Sequence, residues 1–209
     1  MHIVFLVEEL SAEAALLNIV PKILGTSASF EIHPYQCKDD LLSKLPRVMR
    51  AYAKWLPDDW RIVVLVDEDR SDCDTLKERM EQAADAARLT TRTMAGSSNR
   101  HIRFQVLNRI AIEELEAWFF GDVPALNLAY PKVPKTLGSR SKYHDPDSIT
   151  GGTWESLERE LKKVGYFSGG LRKIEAAKTI SAYMEPERNN SKSFQVFRDG
   201  LQEMVRSGV

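Results

Sequence analysis

The sequence predicts an α/β fold, a mostly parallel sheet flanked by helices. Three observations carry this expectation. Residues 2–7, apolar throughout after His2, and the unbroken apolar run 62–66 are rich in Val and Ile, the signature of strands buried on both faces of a parallel sheet. Each run is followed by a stretch with helical apolar periodicity. Strand and helix then alternate at lengths suited to βαβ units.

In chain order, residues 2–7 are read as the first strand. Ser11 and Glu13 offer capping chemistry to a helix whose apolar positions are Ala14, Leu17, Ile19 and Ile23, with a kink or restart expected at Pro21. Residues 30–35 alternate as a second strand, placed near a sheet edge by Pro34. Residues 39–55 read as a helix with Leu41, Leu42, Leu45, Val48, Met49, Tyr52 and Trp55 on its apolar face. The 62–66 strand follows, then a charged helix over 72–89 with Leu76, Met80, Ala83 and Ala87 inward and Ser71 or Asp72 as N-cap. After a loop at Ala95 to Asn99, residues 102–107 are expected to form the next strand, leading into a helix over 110–120.

From Asp122 the character changes. Pro124, Pro131, Pro134, Gly138, Gly151 and Gly152 punctuate a loop-rich stretch, and helical patterns return at about 153–164, 172–184 and 193–206. The chain is thus expected to divide into an α/β core, residues 1–121, and a helical C-terminal appendage, residues 122–209, packed on it. Charge divides at the same place. Residues 122–209 hold 14 Lys+Arg against 11 Asp+Glu, and residues 1–121 hold 15 against 19.

Several classes are set aside. No apolar run approaches the roughly 20 residues of a membrane span. The N-terminus starts directly on a strand and lacks the layout of a secretion signal. Cys37 and Cys73 read as free thiols of a reducing cytoplasm, where the protein is expected to reside. His2, His33, His101 and His144 lack zinc-ligand spacing. No GxxxxGK[ST] loop is present in the sequence, so this chain is not read as a P-loop ATPase.

The chemistry concentrates in Val66-Asp67-Glu68-Asp69. Asp67 and Asp69 fall where the strand ends and, two residues apart, leave the same side of an extended chain. Glu68 points the other way. Ligands of open parallel sheets bind outside the carboxyl ends of the strands, and paired carboxylates suit a hard cation. Glu8 ends the first strand and reaches the same crevice if the two strands are neighbours. Glu113 and Glu116 would share a helix face that starts near it, although Arg109, four residues before Glu113, offers that acid an ion pair instead. The competing account is a solvated turn whose acids cap helices.

Glu8 after its strand, followed by an apolar strand ending in Asp67-x-Asp69, resembles the Toprim catalytic domain of topoisomerases, DnaG-type primases and nucleases of the overcoming-lysogenization-defect class. The whole chain resembles the domain-of-unknown-function 4276 family, a Toprim-like group. The matching pieces are Val7 to Glu13, Val66 to Asp69, Glu113 to Trp118, Tyr130-Pro131-Lys132 and Ser191 to Phe194. The resemblance implies a Toprim-like (Rossmann-like) sheet. It further implies Glu8 as general acid/base or metal ligand, Asp67 and Asp69 as ligands of Mg²⁺ (or Mn²⁺), and Glu116 with Glu113 at a second metal position. The activity implied is a metal-dependent nuclease or other phosphoryl transfer, with a role as a phage-defence effector. The partners implied are DNA or RNA, held through Lys132, Lys135, Lys173 and Lys192, a separately encoded ATPase of the AAA or ABC type, and a second copy of the chain. No Tyr near the motifs argues for covalent cleavage, which favours hydrolysis over strand passage. Toprim proteins usually carry Gly after the first Glu; here Glu9 stands there, and it either crowds the backbone or adds a carboxylate. A Toprim-fold subunit that binds without catalysing is the alternative this departure keeps open.

Overall fold

The computed structural model describes residues 1–69, 71–96 and 103–207. Its centre is a four-stranded, all-parallel sheet in the order β2-β1-β3-β4, formed by β1 (His2–Val7), β2 (Ser29–Pro34), β3 (Trp60–Asp67) and β4 (Val106–Ala111). The apolar runs lie inside: β1 and β3 occupy the middle, and β2 with its Pro34 is an edge strand. Because β2 and β3 lie on opposite sides of β1, the β1/β3 junction is where the strand order reverses. That is the position at which open α/β sheets form a ligand crevice.

Side-chain alternation sends Ile3, Phe5, Val7, Val63, Leu65 and Leu107 to one face, and Val4, Leu6, Ile62, Val64, Val66 and Val106 to the other. The second face is covered by α2 (Lys38–Tyr52), through Leu41, Leu42, Leu45 and Met49, and by α3 (Cys73–Asp85), through Leu76, Met80 and Ala83. Asp72 is the N-cap of α3, accepting from the Thr75 N–H. The first face is covered by α1 (Leu10–Leu24), which continues through Pro21 with that residue on its exposed side, and by the C-terminal helices.

Those helices are α7 (Thr153–Lys163), α8 (Lys173–Ser181) and α9 (Lys192–Ser207). One apolar cluster runs from Phe5 and Leu16 through Trp118 to Ile180, Phe194, Phe197 and Leu201, across the Gly121/Asp122 boundary. Trp118 sits 5.2 Å from the Phe194 ring edge-on, and its indole N–H donates to Ser193 Oγ. No helix of the described residues is long and apolar enough to cross a membrane.

The structure revises several sequence expectations. The fourth strand lies at 106–111, not 102–107, and Ile102 is outside the described residues. Asn108 and Arg109 sit in mid-strand, yet both are buried; their polarity makes the strand seem to end where it continues. The helix expected over 110–120 is consequently the short α5 (Glu116–Phe120). Of the two stretches read as loop, the first overlaps the end of α4 (Arg92–Gly96) at Ala95 and Gly96, with Ser97 to Asn99 outside the described residues, and the second contains α6 (Val123–Ala129). Trp55 lies beyond α2, exposed, in edge contact with Trp60.

Candidate functional site

The crevice is built from three chain reversals at the carboxyl end of the sheet. Pairing of Val7 with Leu65 brings Glu8, just after β1, beside Asp67, the last residue of β3. The Glu8 carboxylate accepts the Asp67 N–H at 3.0 Å. The Leu115 backbone amide, just before α5, lies close enough to the Asp67 carboxylate to favour its charged form. Glu116, the first residue of that helix, is 2% exposed.

These three acids are held against their ordinary ionisation. Burial raises Glu8, and repulsion from Asp69 and Glu9 adds to it. Asp67 lies well above the usual carboxylate range, first through burial and then through Glu8, Glu116 and Asp69. Burial pushes Glu116 up to about 7 even though Lys173 pulls it down. Desolvation and like charge both penalise the ionised form, and groups perturbed in this way concentrate at functional clefts.

Two lysines answer the negative charge. Lys38, at the start of α2, donates from Nζ to the Asp67 and Glu68 carbonyls at 3.1 and 2.9 Å and to Asp69 at 2.5 Å. Lys173, at the start of α8, feels Glu116, Glu9, Glu114 and Asp67; burial opposes its charge, but the acids prevail and raise its pKa. Its ammonium also lies 5.1 Å from the Trp154 ring. From Glu9 and Lys173 a groove of about 1210 Å³ opens past Tyr35, Lys44, Arg172 and Lys178.

The structure separates residues that the sequence grouped. Asp69 does not project alongside Asp67, because β3 ends at Asp67 and Asp69 has left-handed backbone (φ 50°), with its carboxylate half-exposed on Lys38. Glu113 is also left-handed (φ 58°) and precedes α5, so it shares no helix face with Glu116, and Arg109 lies in β4 with its bonds to Asn108 and Val196 carbonyls. The two loops are stitched together: Asp69 N–H donates to Glu113 O at 2.7 Å, and Glu113 N–H to the Glu68 carboxylate at 3.1 Å. Glu114 accepts from Thr153 N, Thr153 Oγ1 and Trp154 N and so caps α7. Lys173 borders the acids; Lys192 lines a different cavity; Lys132 and Lys135 are exposed, with Lys132 Nζ 5.7 Å from the Tyr166 ring.

The sequence profile of a domain of unknown function (DUF4276) matches residues 7–202. The chain belongs to this family. Among curated proteins and among solved structures no match is found. In this DUF4276 chain the profile spans both the acidic crevice and the helices that close it.

Among the described residues, no three His, Cys, Asp or Glu side chains are arranged to hold one metal ion. The donor chemistry of Glu8 and Asp67 nevertheless suits Mg²⁺, which commonly takes one or two protein carboxylates and completes its shell with water and substrate phosphate. Asp69 is engaged by Lys38 in this arrangement. Sequence reasoning missed Lys38 and the acid-facing position of Lys173. Lys38 carries no local signal; only the placement of the β2–α2 turn beside the β3 end reveals it.

Proposed function

We propose that this DUF4276 protein is a Mg²⁺- or Mn²⁺-dependent hydrolase of nucleic-acid phosphodiesters, built on a Toprim-like sheet. The observation that carries the reading is the convergence of Glu8, Asp67 and Glu116, from three separate elements, at the point where strand order reverses. Glu8 and Asp67 would hold the ion. A bound divalent cation would offset their repulsion, polarise the phosphodiester and make water more acidic. Glu116, titrating near neutrality, is suited to accept the proton of the attacking water and to return it to the leaving oxygen. Lys173 places a positive charge between the groove and the acids, where it would neutralise a phosphate that enters. The groove's remaining cations, Lys44, Arg172 and Lys178, are suited to the flanking backbone.

One observation favours a second reading, a non-catalytic Toprim-fold subunit that binds nucleic acid or a protein beside a separate ATPase. Lys38 already neutralises Asp69 and binds the carbonyls on either side of the Asp67–Glu68 peptide. A site so supplied with its own cation holds its shape without a metal.

Calorimetric titration with Mg²⁺ and Mn²⁺, alongside cleavage assays on single- and double-stranded DNA and on RNA, separates the two. The hydrolase reading expects metal binding that Asp67→Asn abolishes, and cleavage lost on the order of 100-fold or more in Glu8→Gln and Asp67→Asn. A wild-type protein that neither binds metal nor cuts any of the three substrates overturns it.

A further inference from the structure

On the far side of β4 from the acids' partner strand, a cavity of about 420 Å³ lies between α3, β4 and α9. Its wall includes Lys77, Arg109, Lys192, Ile110, Ile112 and Val196. Arg109 is the unusual member. It is only 9% exposed, yet it has no carboxylate partner among the described residues. Nε donates to the Val196 carbonyl and Nη1 to the Asn108 carbonyl, while Nη2 donates to nothing among the described residues. A guanidinium does not lose its proton at neutral pH, and a buried charge without a counter-ion is costly.

The acids that stand nearby are engaged elsewhere. Glu81 takes Lys77, Thr93 and Asn108, and Glu203 takes Arg92. Asp147, on the cavity wall, accepts from Ser191 Oγ and from the N–H and Oγ of Ser193. Asp74 sits exposed at the rim. Gly200 keeps α9 close over this site, since a Cβ there would stand 2.7 Å from Arg109 Nη2. Holding two carbonyls needs hydrogen-bond donors but no net charge; the charge and the cavity remain to be explained.

We propose that the α3/β4/α9 cavity binds a small organic oxyanion, a phosphomonoester or carboxylate whose head pairs with Arg109 and whose apolar body rests on Ile110, Ile112 and Val196. Nη2, the guanidinium nitrogen with no acceptor among the described residues, can give either head group a charge-assisted bond, and the volume is that of a small-ligand pocket. Lys192, exposed at the mouth and without an ion-pair partner among the described residues, adds attraction at the rim. The site is separate from the acidic crevice and does not rest on the hydrolase reading.

The test is calorimetric titration of the full chain in EDTA with phenyl phosphate, benzoate, inorganic phosphate and neutral benzyl alcohol. Phenyl phosphate or benzoate should bind, whichever is tighter naming the head group, and benzyl alcohol should bind at least about tenfold more weakly, the scale of one charge-assisted bond. Arg109→Gln and Val196→Asp should each weaken the anion by about tenfold or more, Val196→Asn should weaken it less because it adds no repelling charge, and Lys54→Gln, exposed and outside the cavity wall, should bind as wild type does. Val196 is on the exposed rim, so Val196→Asp keeps the test intact if Arg109→Gln does not fold. Absence of binding by both organic anions, equal binding of benzyl alcohol, or anion affinity unchanged in Val196→Asp overturns the proposal.

Discussion

Glu116 has almost no contact with water, and its neighbours include Lys173 but also Glu114 and Glu9. Its carboxyl is raised from the usual 4.5 to about 7, so the folded chain holds a proton there that the unfolded chain has released. The sign follows. Below about pH 4.5 both states are protonated and nothing is lost; between that pH and about 7 stability falls as pH rises; above 7 the full penalty stands, about 3 kcal/mol for a shift of this size. Asp67 and Glu8 move in the same direction and steepen the decline. Glu116→Gln mimics the protonated side chain. Urea unfolding should find it more stable than wild type by about 3 kcal/mol near pH 8, with the gap closing towards pH 5. A gap of the same size at both pH values would show that the substitution acts through packing alone. At this scale the sequence shows Glu8 and Asp67 because each stands at the end of an apolar strand, and Glu116 because it is an acid in an otherwise apolar stretch. It hides Lys38 and the acid-facing position of Lys173, because a lysine at a helix start looks the same whether it faces water or a carboxylate from another strand.

Elements show a different kind of legibility. β1 and β3 are plain in the sequence since burial on both faces demands unbroken apolar residues. β4 is displaced by four residues in the sequence reading because it is an edge strand whose middle is Asn108-Arg109, with Lys77 and Arg109 both donating to the Asn108 carbonyl on its open side. Edge strands blunted by cations are protected from pairing with other chains, and that protection erases the apolar signal. The join between α6 and the segment before α9 is likewise invisible beforehand. Asp122, 0% exposed, caps α6 through Ala125 N–H, accepts Glu185 N–H at 2.8 Å and holds Arg188 by two bonds at 2.7 and 2.9 Å. Asp122→Ala removes all four bonds at once, a cap and a pair buried on the acid's side only, and should destabilise by about 3 kcal/mol. Arg188→Ala should cost less, about 1 kcal/mol, since that guanidinium is 40% exposed. Equal losses in the two variants, measured by denaturant unfolding, would mean that the backbone bonds to Asp122 contribute nothing.

For the whole molecule, the decisive feature is that one face of the sheet is buried by α1 together with residues far along the chain. Phe194, Phe197, Leu201 and Met204 of α9 and Ile180 of α8 share a single apolar cluster with Phe5, Val63, Leu107 and Trp118. Asn18 and Lys22 of α1 add polar ties, donating to Lys178 O and Ser181 Oγ, and to Ala182 O and Met184 O. A change of composition at Asp122 therefore marks a change of local chemistry, proline and short helices in place of long alternating elements, while the hydrophobic core continues across it. Each large aliphatic or aromatic side chain left without its cover forfeits about 1.5–3 kcal/mol of burial. Losing the five C-terminal cluster residues named above forfeits about 8–15 kcal/mol, as much as a domain's typical margin of about 5–15 kcal/mol. Full-length protein should unfold in urea as one transition, with helical circular dichroism and the summed fluorescence of its four tryptophans changing together. A chain ending at residue 121 should show no cooperative transition and should expose apolar surface to a dye such as ANS. If residues 1–121 alone unfolded cooperatively with native-like near-ultraviolet dichroism, the C-terminal helices would be an accessory to a self-sufficient core, and the acidic crevice could be studied without them.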